Sequence, residues 1–357
     1  MPVPPQIGSI SRDDNEMPDP RLDPRLTPRA HVGLARLIWL NRADGFRAVK
    51  RVVGIRAEIH EAKSIRYSVS GIQYGVRLTA SVLLLAPCSL LFALCYFVPM
   101  SFVSVDDRGS VRWVTMSSPG AKNAIPKIGW TELAEAFEDF EVSDQRAMVV
   151  IGADGDFSAG ADLSADFSGF GTAAANAEYM KFPNRAAIAL HRISKPTIAA
   201  VDGVAVGAGM NLALGCDMVI ATDRARFSEI FAKRGLTMDF GGTWLLSRLV
   251  GLARARDIAL TGRIVEAEEA LAIGLVIRVV DAEALEKTVT ELADALADGA
   301  PLAQRFIKVA LDRSSTMNFE QSLAFEEQAQ AVLLGSEDLF EGAAAFFQKR
   351  PPEFKGR

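Results

Sequence analysis

Two short runs of small residues, each following an apolar strand-like stretch, constrain this chain more than any other feature. The first is Phe157-Ser158-Ala159-Gly160-Ala161-Asp162-Leu163, behind Ala147-Met148-Val149-Val150-Ile151-Gly152. The second is Gly203-Val204-Ala205-Val206-Gly207-Ala208-Gly209, behind Thr197-Ile198-Ala199-Ala200-Val201. Small residues let main chain approach main chain, or a bound molecule, very closely, so two such turns can aim two backbone N–H groups at one point. The second run also opens directly into a helix-like stretch over residues 210–215. Repeated strand, turn and helix units predict an α/β fold with a layered parallel sheet and ligand loops at the strand ends.

The surrounding pattern agrees. Alternation in Phe102-Val103-Ser104-Val105 and in Val111-Arg112-Trp113-Val114-Thr115-Met116, around an Asp-Asp-Arg-Gly turn, predicts a hairpin. Trp130, Leu133, Ala134 and Phe137 recur at helical spacing, and a second helix is expected over 174–193, ending before Lys195-Pro196, because the residue ahead of a proline leaves the α region. From Leu245 onward the pattern is mostly amphipathic helix, including 283–296, 301–313 and 319–334. Late helices that cover no sheet are expected to serve assembly.

The N-terminal hundred residues read differently. Residues 1–99 carry 13 Lys/Arg against 8 Asp/Glu, while residues 100–357 carry 26 against 36, so a basic segment precedes an acidic body. Seven prolines among Arg and Asp in residues 1–30 leave too little apolar periodicity for a core, and disorder is expected there. The 28 residues from Leu78 to Val105 hold no charge, and roughly twenty suffice to span a bilayer. Thirteen basic residues ahead of that run would, however, keep the N-terminus inside and send the body out. The preferred reading makes residues 1–99 a largely disordered extension with an apolar run at 78–98 and no catalytic role, Met100 being the natural start of the functional domain. A membrane anchor and a soluble regulatory extension are the alternatives. The body divides into a core, 100–300, and a helical assembly region, 301–357.

Several function classes are excluded. An acidic body without a basic stripe does not suit nucleic acid, whose phosphates demand Lys and Arg. Cys88, Cys95 and Cys216 have neither disulfide nor zinc spacing, so no metal is expected and a reducing, cytoplasmic setting fits best. There is no Ser/His/Asp arrangement and no phosphate-binding Gly-Lys-Ser/Thr loop, and the Gly207-Ala208-Gly209 turn is not completed into a dinucleotide fingerprint. His191 is the one histidine of the body; placed at a helix end, it is expected to complement the dipole.

Residues 157–163, 195–217 and 225–251, with the ending Phe347-Gln348-Lys349-Arg350-Pro351-Pro352, resemble the crotonase (enoyl-CoA hydratase/isomerase) family over roughly residues 101–357. The resemblance implies a spiral of strand-strand-helix units with a C-terminal helical trimerisation region. It also implies an acyl-CoA thioester as substrate, no cofactor beyond the coenzyme A of that substrate, and a homotrimer or dimer of trimers. It places two oxyanion N–H donors on Ala159 and Ala208, and it puts Ala161, Asp162, Leu163 and Gly207 in the ligand turns.

The acid–base groups depart from the two-glutamate hydratases of the family. Their first glutamate position holds Asn211 and their second Phe231, neither able to carry a proton. Asp239, among Met238, Phe240 and Trp244, is the remaining carboxylate, and apolar surroundings would raise its pKa toward that of a general base. The expectation is therefore double-bond isomerisation of an enoyl-CoA by Asp239, with hydration of a 2-enoyl-CoA and thioester binding without turnover as alternatives. Asn211, Phe231 and Trp244 are expected near the substrate. The segment 164–183 is expected to wall the acyl tail, and Phe346 and Lys349 to approach the coenzyme A of a neighbouring subunit. Glu229 reads as a helix N-terminal charge and Asp217 as a strand anchor.

Overall fold

The computed structural model describes residues 56–60, 64–69, 72–77, 101–163 and 171–357. The chain falls into two units, Met1–Val98 and Pro99–Arg357. In the first, β1 (Arg56–His60), β2 (Ser64–Val69) and β3 (Ile72–Arg77) form an antiparallel meander, β1 pairing with β2 and β2 with β3. The sequence carries a local cause for this: Ile65, Tyr67 and Val69, then Ile72, Tyr74 and Val76, alternate with other residues at the period of a pleated strand. The proline-rich residues 1–30 and the apolar run 78–98 lie outside the described residues. No described helix is long and apolar enough to cross a membrane.

The second unit is built on a six-stranded sheet. β4 (Val103–Arg108) and β5 (Val111–Met116) form the expected hairpin, its turn closed by Gly109 at φ 60°. β6 (Ala147–Gly152), β7 (Thr197–Val201), β9 (Met218–Thr222) and β12 (Arg278–Val280) add on in parallel, giving the order β12-β9-β7-β6-β5-β4. The central strands are nearly all apolar because both faces are buried. Val114, Met116, Met148, Val150, Ala199 and Val201 face the core shared with α1 (Lys127–Val142) and α2 (Ala173–Arg192). Val111, Trp113, Val149, Ile198 and Ile220 face Leu285, Val289 and Ala293 of α7 (Leu285–Ala297). One of the late helices thus covers sheet, which the amphipathic pattern did not distinguish from helices that do not.

Between β7 and α3 (Ala208–Leu214) the structure holds more than a turn. Val204-Ala205-Val206 forms β8 (Val204–Val206), which pairs in parallel with β10 (Arg226–Ser228); β10 in turn pairs antiparallel with β11 (Val265–Glu266). The run read as one glycine turn is therefore two tight bends around a three-residue strand. After β10 come a 3₁₀ turn, Ile230–Arg234, then α4 (Gly242–Val250), α5 (Leu252–Thr261) and α6 (Ala267–Ala272). The helices α8 (Pro301–Ser314), α9 (Phe319–Leu333) and α10 (Glu337–Gln348) match the expected C-terminal region and bury few of their residues.

Candidate active site

The two small-residue turns meet. Ser158 bridges Ala205, its N–H donating to Val204 O at 2.9 Å and its carbonyl accepting from Val206 N–H at 3.0 Å. Glycine is required where the two segments touch. A Cβ on Gly160, already at φ 89°, would lie 2.6 Å from Val206 O and 3.5 Å from Ala208 N, and one on Gly209 would lie 2.5 Å from Ser158 O. Gly207 adopts φ 56° and ψ −126°, a region open to glycine, and turns the chain from β8 into α3.

One expected donor is corrected. The Ala159 N–H is spent on Lys122 O at 2.9 Å, so it is not available to an oxyanion. Two residues on, the strand bridges Ile125: Ile125 N–H donates to Gly160 O at 2.7 Å and Asp162 N–H to Ile125 O at 2.9 Å. In that parallel pattern the Ala161 N–H points away from Ile125, and it takes no partner among the described residues. Ala208, the first residue of α3, likewise has an N–H with no partner among the described residues, one of the four amides a helix start leaves without an intrahelical acceptor. The segment is pinned from behind by Asn123, whose amide donates to Ala153 O and Asp156 O and accepts from Ser118 N–H. Ser158 Oγ adds a bond to Asn123 O.

Behind α3 lies a buried polar cluster. Asn211, fully buried, donates its amide to Asp239 O at 3.0 Å and to Glu229 Oε2 at 3.4 Å. Gly242 lets it approach, since a Cβ there would fall 2.3 Å from the Asn211 amide nitrogen. Its amide nitrogen is thus committed within the protein, a role different from the substrate contact expected of it. Asp239 sits in the bend before α4, half-buried, with Phe240 behind it stacked at 5.7 Å on Trp130. Burial pushes its carboxyl up to about 6. Glu229 is fully buried. Burial, with the charge of Asp239 adding to it, pushes its carboxyl up to about 8 against the opposing Asn211 hydrogen bond. Asn211 Oδ1, Glu229 Oε1 and Asp239 Oδ1 are all buried without a hydrogen-bond partner among the described residues.

Glu229 does stand at a helix N-terminus as expected, but it is fully buried rather than a surface charge. It occupies the cap position of the 3₁₀ turn but makes no side-chain cap bond. Phe231 is buried, its ring 3.6 Å from where a Gly207 Cβ would stand, so it packs under the second turn. Trp244 belongs elsewhere: its ring lies edge-on to His191 at 5.3 Å and under Arg248 at 3.9 Å. There it lines a cleft of about 640 Å³ with Cys216, Asp217 and Lys308 that includes none of Ala161, Ala208, Asn211 and Asp239. Asp217 is the anchor expected of it, accepting from Thr197 N–H and Oγ and from Lys308. Leu163 is exposed, residues 164–170 lie outside the described residues, and Lys349 caps α10 in the open. No group of three metal-ligating side chains occurs among the described residues.

Two small-residue turns that meet above a buried polar cluster, on this sheet order, are the architecture of a crotonase-type fold. The chain belongs to the enoyl-CoA hydratase/isomerase family, whose model matches residues 106–357. It is 37% identical over 262 residues to the 1,2-epoxyphenylacetyl-CoA isomerase of Escherichia coli K12, covering 72% of this chain and all of that one. It is 35% identical to a short-chain-enoyl-CoA hydratase of Clostridium acetobutylicum, covering 71% and 98%. Among solved structures, an enoyl-CoA hydratase from Bacillus anthracis superposes with a TM-score of 0.69 at 29% identity, covering 72% of this chain and all of that one. The chain is an enzyme of this type.

Proposed function

We propose that this enzyme isomerises the double bond of an enoyl-CoA. The Ala161 and Ala208 N–H groups hold the thioester oxygen, and Asp239 moves the proton. The observation that carries this reading is two main-chain amides without partners among the described residues together with a half-buried Asp239, whose carboxyl burial pushes up to about 6. For a 3-enoyl-CoA, Asp239 takes the proton from C2. The electron pair moves onto the thioester oxygen as a dienolate, and the Asp239 carboxyl, whose proton exchanges with solvent, returns a proton at C4 to give the 2-enoyl-CoA. Above about 6 the carboxylate is the base form, and below it the site is already protonated. Each amide donor is worth about 2.7–4 kcal/mol to such a transition state.

The epoxyphenylacetyl-CoA isomerase named above supports rearrangement without net addition of water. Hydration is the second reading, favoured by one observation: Glu229 supplies a second buried acid beside Asp239. The two separate in heavy water with a 3-enoyl-CoA and a 2-enoyl-CoA as substrates. Deuterium entering the acyl chain without gain of water is the expected result, and hydroxyacyl product from the 2-enoyl-CoA overturns it. Asp239→Asn should lower kcat by about 10²–10⁴-fold while leaving coenzyme A affinity nearly intact. Unchanged turnover removes Asp239 from the mechanism.

A further inference from the structure

Glu229 has no place in the reaction as described, yet it is fully buried in the cluster that supports the base. Its Oε2 accepts from the Asn211 amide at 3.4 Å, and the same amide nitrogen holds Asp239 O at 3.0 Å. With two acceptors on one nitrogen, the amide cannot be turned over without setting its oxygen against the Asp239 carbonyl. Glu229 is also next to Ser228, whose carbonyl accepts the Gly207 N–H at 2.8 Å at the start of α3. The Glu229 carboxyl thus reaches the Asp239 loop through Asn211, while the backbone one residue before it holds the turn that precedes Ala208.

We infer that Glu229 is a positioning residue for this reaction: in its uncharged form it anchors the Asn211 amide and through it the Asp239 loop, and it keeps a second negative charge away from the forming enolate. The inference rests on the enolate reading above. An ionised Glu229 would be a buried charge supported by one long hydrogen bond, which is costly. As a neutral acid, it still offers Asn211 a carbonyl acceptor and gains a proton on Oε1 among oxygens that lack donors. The groups facing Glu229 leave little to compensate a charge. From the bend before α4 comes Asp239 and from α3 the neutral Asn211, while Gly262, after α5, lies against the Glu229 backbone carbonyl. The Lys233 stem lies against Gly262, while Arg263 is paired with Asp257 and Glu269.

The test is kcat and KM of the full chain with a 3-enoyl-CoA, from about pH 5 to about pH 10, for the native protein, Glu229→Gln and Glu229→Leu. In the native enzyme kcat should rise through about 6 and fall again through about 8, the two carboxyls in turn. Glu229→Gln, neutral at every pH, should stay within about threefold of native kcat at pH 7 and lack the alkaline fall. Glu229→Leu, unable to hold Asn211, should lose about tenfold or more in kcat at every pH with KM little changed. An alkaline fall equal in the native and Gln enzymes, no such fall in the native enzyme, or native kcat in Glu229→Leu overturns the inference. Should Glu229→Leu not fold, the Gln profile decides alone. Native turnover in Asp239→Asn would instead remove Asp239 as the base and so sink the proposed reaction, and the two failures are told apart.

Discussion

Gly160 shows how closely the site depends on one missing side chain. Its φ of 89° redirects the strand so that Ala159 and Ala161 point their N–H groups differently, and its Cα packs against Val206 and Ala208. Gly160→Ala should force the two turns apart, since a Cβ 2.6 Å from a carbonyl oxygen cannot be accommodated without backbone movement. A shift near 1 Å at reacting groups costs about 10²-fold. The expected outcome is a kcat loss of that order with coenzyme A binding retained, read by steady-state kinetics beside a binding titration. Native kcat would show that the turns do not share one oxygen. The residue types at this site were readable in the chain, but the choice between Ala159 and Ala161 was not. Both are alanines flanking one glycine, and only the bond from Ala159 to Lys122 O separates them.

At the scale of elements, the strands and helices of the body follow from apolar periodicity, because each buries the face that its sequence makes apolar. What periodicity missed were short elements held by pairing: β8, β11 and β12 span two or three residues each, too few for any pattern to emerge. Helix ends depend on single side chains. In α9, Asn318 Oδ1 accepts from Gln321 N–H at 2.8 Å while Gln321 Oε1 accepts from Asn318 N–H at 3.0 Å, a reciprocal capping box. Asn318→Ala should cost about 1 kcal/mol, lowering the thermal midpoint by roughly 2–4 °C for a body of this size. Calorimetry of the two chains checks this, and an unchanged midpoint would show that α9 is held by contacts other than its cap.

For the whole molecule, the C-terminal helices pose the main question. Phe319, Phe340, Phe346 and Phe347 are each between 67% and 82% exposed, more large apolar surface than a solitary helical end normally leaves in water. With the resemblance, this supports assembly as a trimer through α8–α10. Sedimentation should give three times the 38.5 kDa chain mass, and Phe346→Asp with Phe347→Asp should shift the protein to monomer. A native monomer would sink the proposal, and with it the approach of Lys349 to a neighbouring site. By itself, the amino-acid order determined the class of fold, the two small-residue turns and the choice of Asp239 as the carboxylate proposed to move the proton. These are local matters of side-chain size, periodicity and type. Tertiary structure alone decided which alanine amide is left unbonded, why Trp244 belongs to another cleft, and that Glu229 is buried against Asn211 and Asp239. Hydrogen-bond partners and desolvation come from segments far apart along the chain, and those distances close only when the sheet is assembled.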